Sequence, residues 1–118
     1  MRPNPVRARW QHGEAASNLW IDIGWPVTVE ALGRLPYDSF TIDMQHSLID
    51  RTTLVPLLQA LSLGGGAPMV RVTQNDPAEI AYVLDAGAYG GEAAVVFDVV
   101  QLVHGFRIPD IDAEGQKF

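Results

Sequence analysis

The sequence predicts an α/β fold with a parallel sheet, because strand and helix signals alternate along the chain. Three short apolar segments, each typical of a strand, are followed by segments whose apolar residues recur at helical spacing. Turn-forming residues separate these segments, most clearly the run Gly64-Gly65-Gly66, which we expect to be a flexible loop. The 118 residues suffice for one small domain and amount to about half of the roughly 250 residues of a complete (β/α)8 barrel.

The first predicted strand covers residues 18–23 and is closed by Gly24. The helix that follows is predicted over residues 26–35. Its expected apolar face consists of Val27, Ala31, Leu32 and Leu35. Together these segments form the first β–α unit.

The second strand is predicted over residues 39–44 and the second helix over residues 50–63, with Asp50 as its cap. One stripe of this helix is apolar: Leu54, Leu57, Leu58 and Leu61. Because a proline inside a helix removes a hydrogen bond, Pro56 implies that the helix begins after Asp50 or is kinked.

The third strand is predicted over residues 68–71, and Asp76, Pro77 and Glu79 match a capping box with a proline start. We expect this helix to end at Gly87 in the left-handed conformation. Its expected apolar face is Ile80, Ala81, Val83 and Leu84. A fourth strand is predicted over residues 93–100; the predicted domain covers residues 1–104, and residues 105–118 are a predicted loose tail.

Composition excludes several classes of protein. A formal charge of −6 argues against a nucleic-acid surface, and the lack of cysteine excludes disulfides and thiolate chemistry. No apolar run reaches the roughly 18 residues that a membrane span needs. Because no apolar signal core follows the arginines near the N-terminus, we expect a cytoplasmic protein.

Polar side chains lie where two successive predicted strands end. In parallel α/β folds, catalytic and binding residues lie at this carboxyl edge of the sheet. Asp43 lies at the end of the second predicted strand and His46 just after it, and Arg71 ends the third. An imidazole suits a general base near neutral pH, and a guanidinium can hold a carboxylate with two hydrogen bonds. Two alternatives stay open: His46 as an ordinary hydrogen-bonded rim residue, and Asp43, instead of a substrate, as the carboxylate that pairs with Arg71.

Four segments of the chain, in order, are residues 37–46 (YDSFTIDMQH), 68–72 (PMVRV), 75–77 (NDP) and 84–90 (LDAGAYG). In these segments the chain resembles the HpcH/HpaI aldolases, the metal-dependent class II pyruvate aldolases, over roughly residues 18–90. The resemblance implies a partial (β/α)8 barrel of the pyruvate-aldolase type, with about the first three to four βα units. It also implies a carbon–carbon lyase that cleaves 4-hydroxy-2-oxo acids to pyruvate and an aldehyde.

The resemblance also implies residue roles. His46 corresponds to the general base and Asp85 to its acidic partner, while Arg71 corresponds to the arginine that binds the pyruvate carboxylate and keto oxygen. Asp43 corresponds to the aspartate at the strand end beside the histidine, and Trp20 to an aromatic residue of the first strand near the pocket; both are implied substrate-binding residues. Judged from the sequence alone, Trp20 is expected to pack in the core. Asp85 is expected to lie at a helix end away from its own rim. Two alternatives stay open for it: it reaches a histidine of a neighbouring subunit, or it is an ordinary solvated acid at the helix end.

The chain departs from the family in two respects. The divalent metal (Mg²⁺, Mn²⁺ or Co²⁺) is expected for the family, but its ligands belong to later segments that this chain does not match. After Gly90 the similarity ends, as in a truncated or frame-disrupted copy, or in a divergent short form. The expected partners are a small oxo acid, an aldehyde and further copies of the chain, with no nucleic acid and no membrane. The alternative is a non-catalytic half-barrel that functions only by association with itself or a partner chain.

Overall fold

The structure, a computed structural model, describes residues 4–88. The predicted fourth strand over residues 93–100, the tail over residues 105–118 and the domain boundary at residue 104 lie outside this range. Within it, four helices and three strands alternate in the order α1, β1, α2, β2, α3, β3, α4. The predicted alternation is therefore confirmed, with one additional helix at the start.

The additional helix, α1, spans Pro5–Gln11. Asn4 caps it, since its side-chain oxygen accepts hydrogen bonds from the backbone N–H groups of Val6 (3.0 Å) and Arg7 (3.3 Å). Pro5 occupies the first helical position, where its missing N–H costs nothing. At 7 residues the helix is too short for a clear apolar stripe, and only Val6 is buried, so periodicity gave no signal for it.

The sheet consists of β1 (Asn18–Ile21), β2 (Ser39–Asp43) and β3 (Ala67–Arg71), all parallel, with β2 in the middle. The first strand ends two residues earlier than predicted, because β1 pairs with β2 only as far as Ile21. The register places Asp43 directly opposite Arg71 at the last position of the ladder. The two polar side chains that end successive strands are thus neighbours.

Alternate strand residues face two different environments. One face packs against the helices and is apolar; its main buried residues are Ile21, Phe40, Ile42 and Val70. The other face carries polar side chains, and Asn18 Nδ2 donates to Ser39 Oγ (2.8 Å) and Thr41 Oγ1 (2.9 Å) across β1 and β2. Because Asp43 and Arg71 are in phase with Ser39 and Thr41, they end this polar face.

Helix α2 spans Pro26–Leu32, and its predicted apolar face is wrong. Val27 is 72 % exposed and Leu35 lies beyond the helix, whereas Val29 is fully buried. The reason is the contact with α3: Val29 and Gly33 lie on the same side, and a Cβ on Gly33 would lie 3.2 Å from the Leu61 side chain. Packing against α3 therefore buries the face with Val29 and Gly33, and not the predicted face with Val27, although that face has more apolar residues.

Helix α3 spans Arg51–Ser62, and the predicted leucine stripe is buried throughout. Asp50 caps the helix by accepting a hydrogen bond from the backbone N–H of Thr53 at 2.8 Å. Pro56 lies inside the helix, which begins at Arg51 and continues through the proline. The carbonyl that loses its donor belongs to Thr52, an exposed residue, so water can hydrate it.

Helix α4 spans Pro77–Asp85 and begins as predicted, with Asp76 accepting from the backbone N–H of Glu79 at 2.9 Å. Its end is also as predicted: Gly87 has φ +105°, and Ala88 N–H donates to Val83 C=O at 3.0 Å in a Schellman motif. Of the predicted apolar face only Val83 is fully buried; Ile80 and Leu84 are half-buried and Ala81 is exposed. None of the helices described in residues 4–88 has the length and apolar character to cross a membrane.

Candidate active site

An ion pair between Asp43 and Arg71 forms the centre of the carboxyl edge of the sheet. Arg71 Nε donates to Asp43 Oδ1 at 2.9 Å, and Arg71 Nη2 donates to Asp43 Oδ2. Asp43 is 4 % exposed and Arg71 8 %, so the pair is shielded from water. In the structure the guanidinium pairs with a carboxylate of the chain itself, whereas the binding of a substrate by Arg71 stays a prediction.

Trp20, on β1, extends the same cluster to a third strand. Its Nε1–H donates to Asp43 Oδ2 at 3.1 Å, and the Arg71 guanidinium carbon lies 5.0 Å from the centre of its ring. This distance is within the range of a cation–π interaction. Trp20 is 45 % exposed, so the expectation that it packs in the core is wrong. The indole forms a wall of the site because Asp43 and Arg71 hold it at the sheet edge.

Asp43 also holds the loop that follows β2. Its Oδ1 accepts hydrogen bonds from the backbone N–H groups of Gln45 (2.9 Å) and His46 (3.1 Å). Burial by itself raises the pKa of this carboxyl, but the hydrogen bonds from Arg71 and from these N–H groups outweigh it and hold the pKa well below its usual range. Both oxygens are engaged by the protein, which makes Asp43 a positioning residue here; direct contact with a substrate stays a prediction.

His46 lies at the rim that the other residues define. Its backbone is fixed by Asp43, and the loop is tied again where Ser47 Oγ donates to the carbonyl of Asp43. The residue is exposed, and its imidazole makes no hydrogen bond within the described residues. The backbone of His46 therefore lies beside the Asp43 carboxylate, and the residue itself is exposed to solvent at this rim.

A second set of contacts, which sequence reasoning missed, joins this loop to the loop after β3. Gln45 Nε2 donates to the carbonyl oxygen of Thr73 at 3.3 Å, and the Thr73 hydroxyl donates to Glu79 at 2.8 Å. Glu79 is 6 % exposed. The capping-box pattern correctly predicted the backbone bond of Glu79 to Asp76 but not the direction of its carboxylate, which turns to Thr73 in place of the Asp76 N–H.

Asp85 lies apart from this cluster. It is the last residue of α4, a helix that begins beside Thr73 at the carboxyl edge and runs away from it for 9 residues, or about 13 Å. Its side chain is exposed. The structure thus brings Trp20, Asp43, His46 and Arg71 together and leaves Asp85 toward the opposite end, as expected from helix direction; its action on another subunit stays a prediction.

A metal ion does not fit the described residues on their own. Between residues 4 and 88, no three His, Asp or Glu side chains are grouped in a way that could hold one. The carboxylate nearest the site, Asp43, is neutralised by Arg71 and has both oxygens in hydrogen bonds. The oxygens of Asp43 are therefore arranged for an ion pair with Arg71 and not for a metal ion.

No family model matches the chain, but curated relatives do. A hydroxypyruvate/pyruvate aldolase of Rhizorhabdus wittichii is 47 % identical over 93 residues, which cover 79 % of this chain and 37 % of the relative. A 5-keto-4-deoxy-D-glucarate aldolase of Salmonella newport is 37 % identical over 87 residues, or 74 % of this chain and 34 % of the relative. The chain therefore spans about a third of the length of the curated relatives it matches.

Solved structures give the same result. An HpcH/HpaI aldolase/citrate lyase family protein from Burkholderia cenocepacia superposes with a TM-score of 0.66 at 31 % identity, over 73 % of this chain and 35 % of that one. An HpcH/HpaI aldolase from Desulfitobacterium hafniense has a TM-score of 0.61 at 21 % identity, a likeness of fold alone, over 70 % of this chain and 32 % of that one. The implied fold, a partial (β/α)8 barrel, is thereby confirmed.

Proposed function

Since the chain belongs, over the residues that these relatives match, to the HpcH/HpaI aldolase family, we propose that it carries the base and the arginine of a carbon–carbon lyase site. The proposed reaction is the cleavage of a 4-hydroxy-2-oxo acid to pyruvate and an aldehyde. The relatives are aldolases whose names specify hydroxypyruvate, pyruvate and a keto-deoxy sugar acid, which supports a 2-oxo acid as the substrate class. The principal support from the chain itself is the guanidinium of Arg71 at the same rim as His46.

Arg71 is suited to a carboxylate and keto oxygen. Asp43 takes hydrogen bonds from Nε and Nη2, while Nη1 makes none within the described residues and remains available to a ligand. The indole of Trp20 lies 5.0 Å from the guanidinium carbon and limits its movement. A fixed, permanently charged donor of this kind stabilises the negative charge that develops on an enolate oxygen.

His46 is suited to the proton transfer. In the proposed step its imidazole takes the proton of the C4 hydroxyl, the C3–C4 bond breaks, and the bonding electrons move to the enolate, whose charge rests on the C2 oxygen near Arg71. The aldehyde leaves, and the enolate takes a proton at C3 to give pyruvate. The exposed position of the imidazole supports this role, because a buried and fully bonded ring would be unable to reach a substrate.

We extend the proposal to three features of the complete enzyme that the resemblance implies. A divalent metal (Mg²⁺, Mn²⁺ or Co²⁺) is its cofactor, although residues 4–88 offer no ligand set for one. Asp85 acts on the histidine of a neighbouring subunit in a homo-oligomer, which is consistent with its exposed position at the far end of α4. The enzyme acts on small molecules in the cytoplasm.

The first prediction concerns His46. We expect His46→Ala to reduce pyruvate release from a 4-hydroxy-2-oxo acid by about 10²–10⁴-fold, because a positioned general base contributes about that much. The measurement is a coupled pyruvate assay on the 118-residue chain with added magnesium, manganese or cobalt. His12→Ala is the matched control, since His12 lies at the end of α1 with its Nδ1 on the carbonyl of Ala8. Full activity of His46→Ala would refute the assignment.

A second candidate function is a non-catalytic half-barrel that acts by association. The observation that favours it is a group of exposed apolar side chains in and after the loops at the carboxyl edge of β1 and β2: Ile23 (47 %), Trp25 (66 %), Val27 (72 %) and Leu48 (100 %). A parent chain that releases no pyruvate under any of the three metals would favour this candidate.

A further inference from the structure

We propose that Gln45 is a positioning residue that couples the loop carrying His46 to the amino end of α4, acting through Thr73 and Glu79. The His46 loop is defined here as residues 44–50, between β2 and α3. The coupling consists of consecutive contacts between side chains and backbone of two neighbouring loops. Its meaning for catalysis rests on the proposed role of His46, whereas the coupling itself does not.

The first contact joins the His46 loop to the loop that follows β3. The backbone N–H of Gln45 is held by Asp43 Oδ1 at 2.9 Å, and its side-chain Nε2 donates to Thr73 C=O at 3.3 Å. The backbone of Gln45 is thus fixed to the end of β2 and its side chain to the residue two positions after the end of β3. This hydrogen bond therefore links Thr73 to the residue that immediately precedes His46.

The second contact leads from Thr73 to α4. The Thr73 hydroxyl lies 2.8 Å and 3.0 Å from the two carboxylate oxygens of Glu79, and the backbone N–H of Gln74 points to the same carboxylate at 3.4 Å. Glu79 is 6 % exposed and sits in the first turn of α4. A buried carboxylate needs donors, and Thr73 and Gln74 supply them, so the loop after β3 is held by the helix.

The orientation of the Gln45 amide follows from the same contacts. The carbonyl of Thr73 only accepts hydrogen bonds, so the amide nitrogen must face it. The other amide atom, Oε1, is buried and has no donor within the described residues. The amide therefore sits at the junction of the two loops, and a carboxylate in its place would direct an acceptor at the Thr73 carbonyl.

We infer that α4 and β2 jointly hold the backbone of the loop that carries His46. Proton transfer depends on sub-ångström placement of the base, so a tie of this kind matters to the rate although Gln45 itself touches no reacting atom. The loop hydrogen bonds to Asp43 fix the backbone of His46 from one side. The Gln45–Thr73–Glu79 contacts hold the preceding residue, Gln45, from the side of α4.

The experiment measures amide hydrogen exchange in the 118-residue chain, which requires no activity. We expect Glu79→Leu and Thr73→Val to increase exchange in residues 44–49 by about fivefold, the opening that the loss of one ordinary hydrogen bond produces. Glu79→Gln should keep the exchange of residues 44–49 as slow as in the parent chain, because its amide oxygen still accepts a hydrogen bond from the Thr73 hydroxyl. Gln45→Glu should increase exchange in the same residues, because it turns a donor into an acceptor.

Thr28→Val on α2 is the matched control: it removes a hydroxyl that makes no hydrogen bond within the described residues, and exchange in residues 44–49 should not change. If Glu79→Leu increased exchange only in residues 72–76, the carboxylate would be a local anchor and the coupling would be refuted. Additive effects of Gln45→Leu and Glu79→Leu on the His46 loop would also refute it, since one chain of contacts can be broken only once. If Glu79→Leu fails to fold, Thr73→Val gives the same test.

Discussion

Asp43 is the residue on which the geometry of the site depends most. One carboxylate accepts two hydrogen bonds from Arg71, one from the Trp20 indole and two from backbone N–H groups of the following loop. It therefore fixes the guanidinium, the aromatic wall and the backbone of His46 simultaneously. A residue that the sequence offers as a possible partner of Arg71 acts in the structure as the common acceptor of the cluster.

We expect Asp43→Asn to destabilise the chain by about 3–5 kcal/mol at pH 7, because it leaves the buried guanidinium of Arg71 without a counter-charge. The measurement is the free energy of unfolding in urea. Glu30→Gln is the control: it breaks the ion pair of Glu30, on α2, with Arg34, two residues after that helix. Their side chains are 40 % and 69 % exposed, so the substitution should cost at most about 0.5 kcal/mol. An Asp43→Asn variant as stable as the parent chain would contradict this assignment.

The same carboxylate makes stability depend on pH. Its pKa is lower in the folded chain than in the unfolded chain, so its contribution is complete above the ordinary pKa of about 3.8 and is lost as pH falls below that value. Asp38 adds to this dependence: hydrogen bonds from the backbone and side chain of Ser17 and from Arg9 lower its pKa to about 2. The parent chain should therefore lose stability as pH falls from about 4 to 2, and Asp43→Asn should lose less over that interval.

At the scale of elements, the fold depends on a close approach of α2 and α3 at their carboxyl ends. A Cβ on Gly64 would lie 2.0 Å from the backbone oxygen of Gly33, and one on Gly66 would lie 2.5 Å from the Phe40 ring. The glycine run read from the sequence as a flexible loop is thus packed on two sides. Gly65, between them, has open space around it.

This packing predicts opposite results for two adjacent substitutions. Gly64→Ala should destabilise the chain by about 1–3 kcal/mol or more, because the contact is with backbone that cannot move aside. Gly65→Ala should be neutral or stabilise by about 0.4–1 kcal/mol, since it restricts the unfolded chain without a clash. Thermal unfolding followed by circular dichroism compares the two, and similar melting temperatures would show that the approach of α2 to α3 is not a constraint.

At the scale of the whole molecule, the described part of the chain is a section of a barrel. In residues 4–88, β1 and β3 each pair with β2 and have no strand on their other side. The polar face, with Ser39 and Thr41 among its buried residues, is the face on which a complete barrel would bring opposite strands together. Unpaired strand edges favour association with another chain.

We therefore expect the 118-residue chain, of 12.9 kDa, to elute in size-exclusion chromatography with light scattering at a mass greater than that of a monomer. Both the oligomeric enzyme and the non-catalytic half-barrel are expected to associate. Pyruvate release measured in the same fractions distinguishes them, because only the enzyme would produce pyruvate. A stable monomer at micromolar concentration would argue against both forms of assembly.

The sequence by itself determined the order of strands and helices after α1, the caps at Asp50 and Asp76, and the place of Asp43 and Arg71 at strand ends. These features depend on neighbours along the chain: apolar spacing, a side chain that reaches the next turn, and a glycine that adopts positive φ. The resemblance in four segments added the family and the fold. Both were predictable because they depend on local pattern or on identity at particular positions.

Only the tertiary structure decided which groups meet across the strands. The register of β2 against β3 pairs Asp43 with Arg71, the contact with α3 buries Val29 in place of Val27, and the loop after β3 turns Glu79 toward Thr73. Each of these contacts joins residues that are distant in sequence. Burial and hydrogen-bond geometry select it from several possible contacts, and no single segment of the sequence contains the information for that choice.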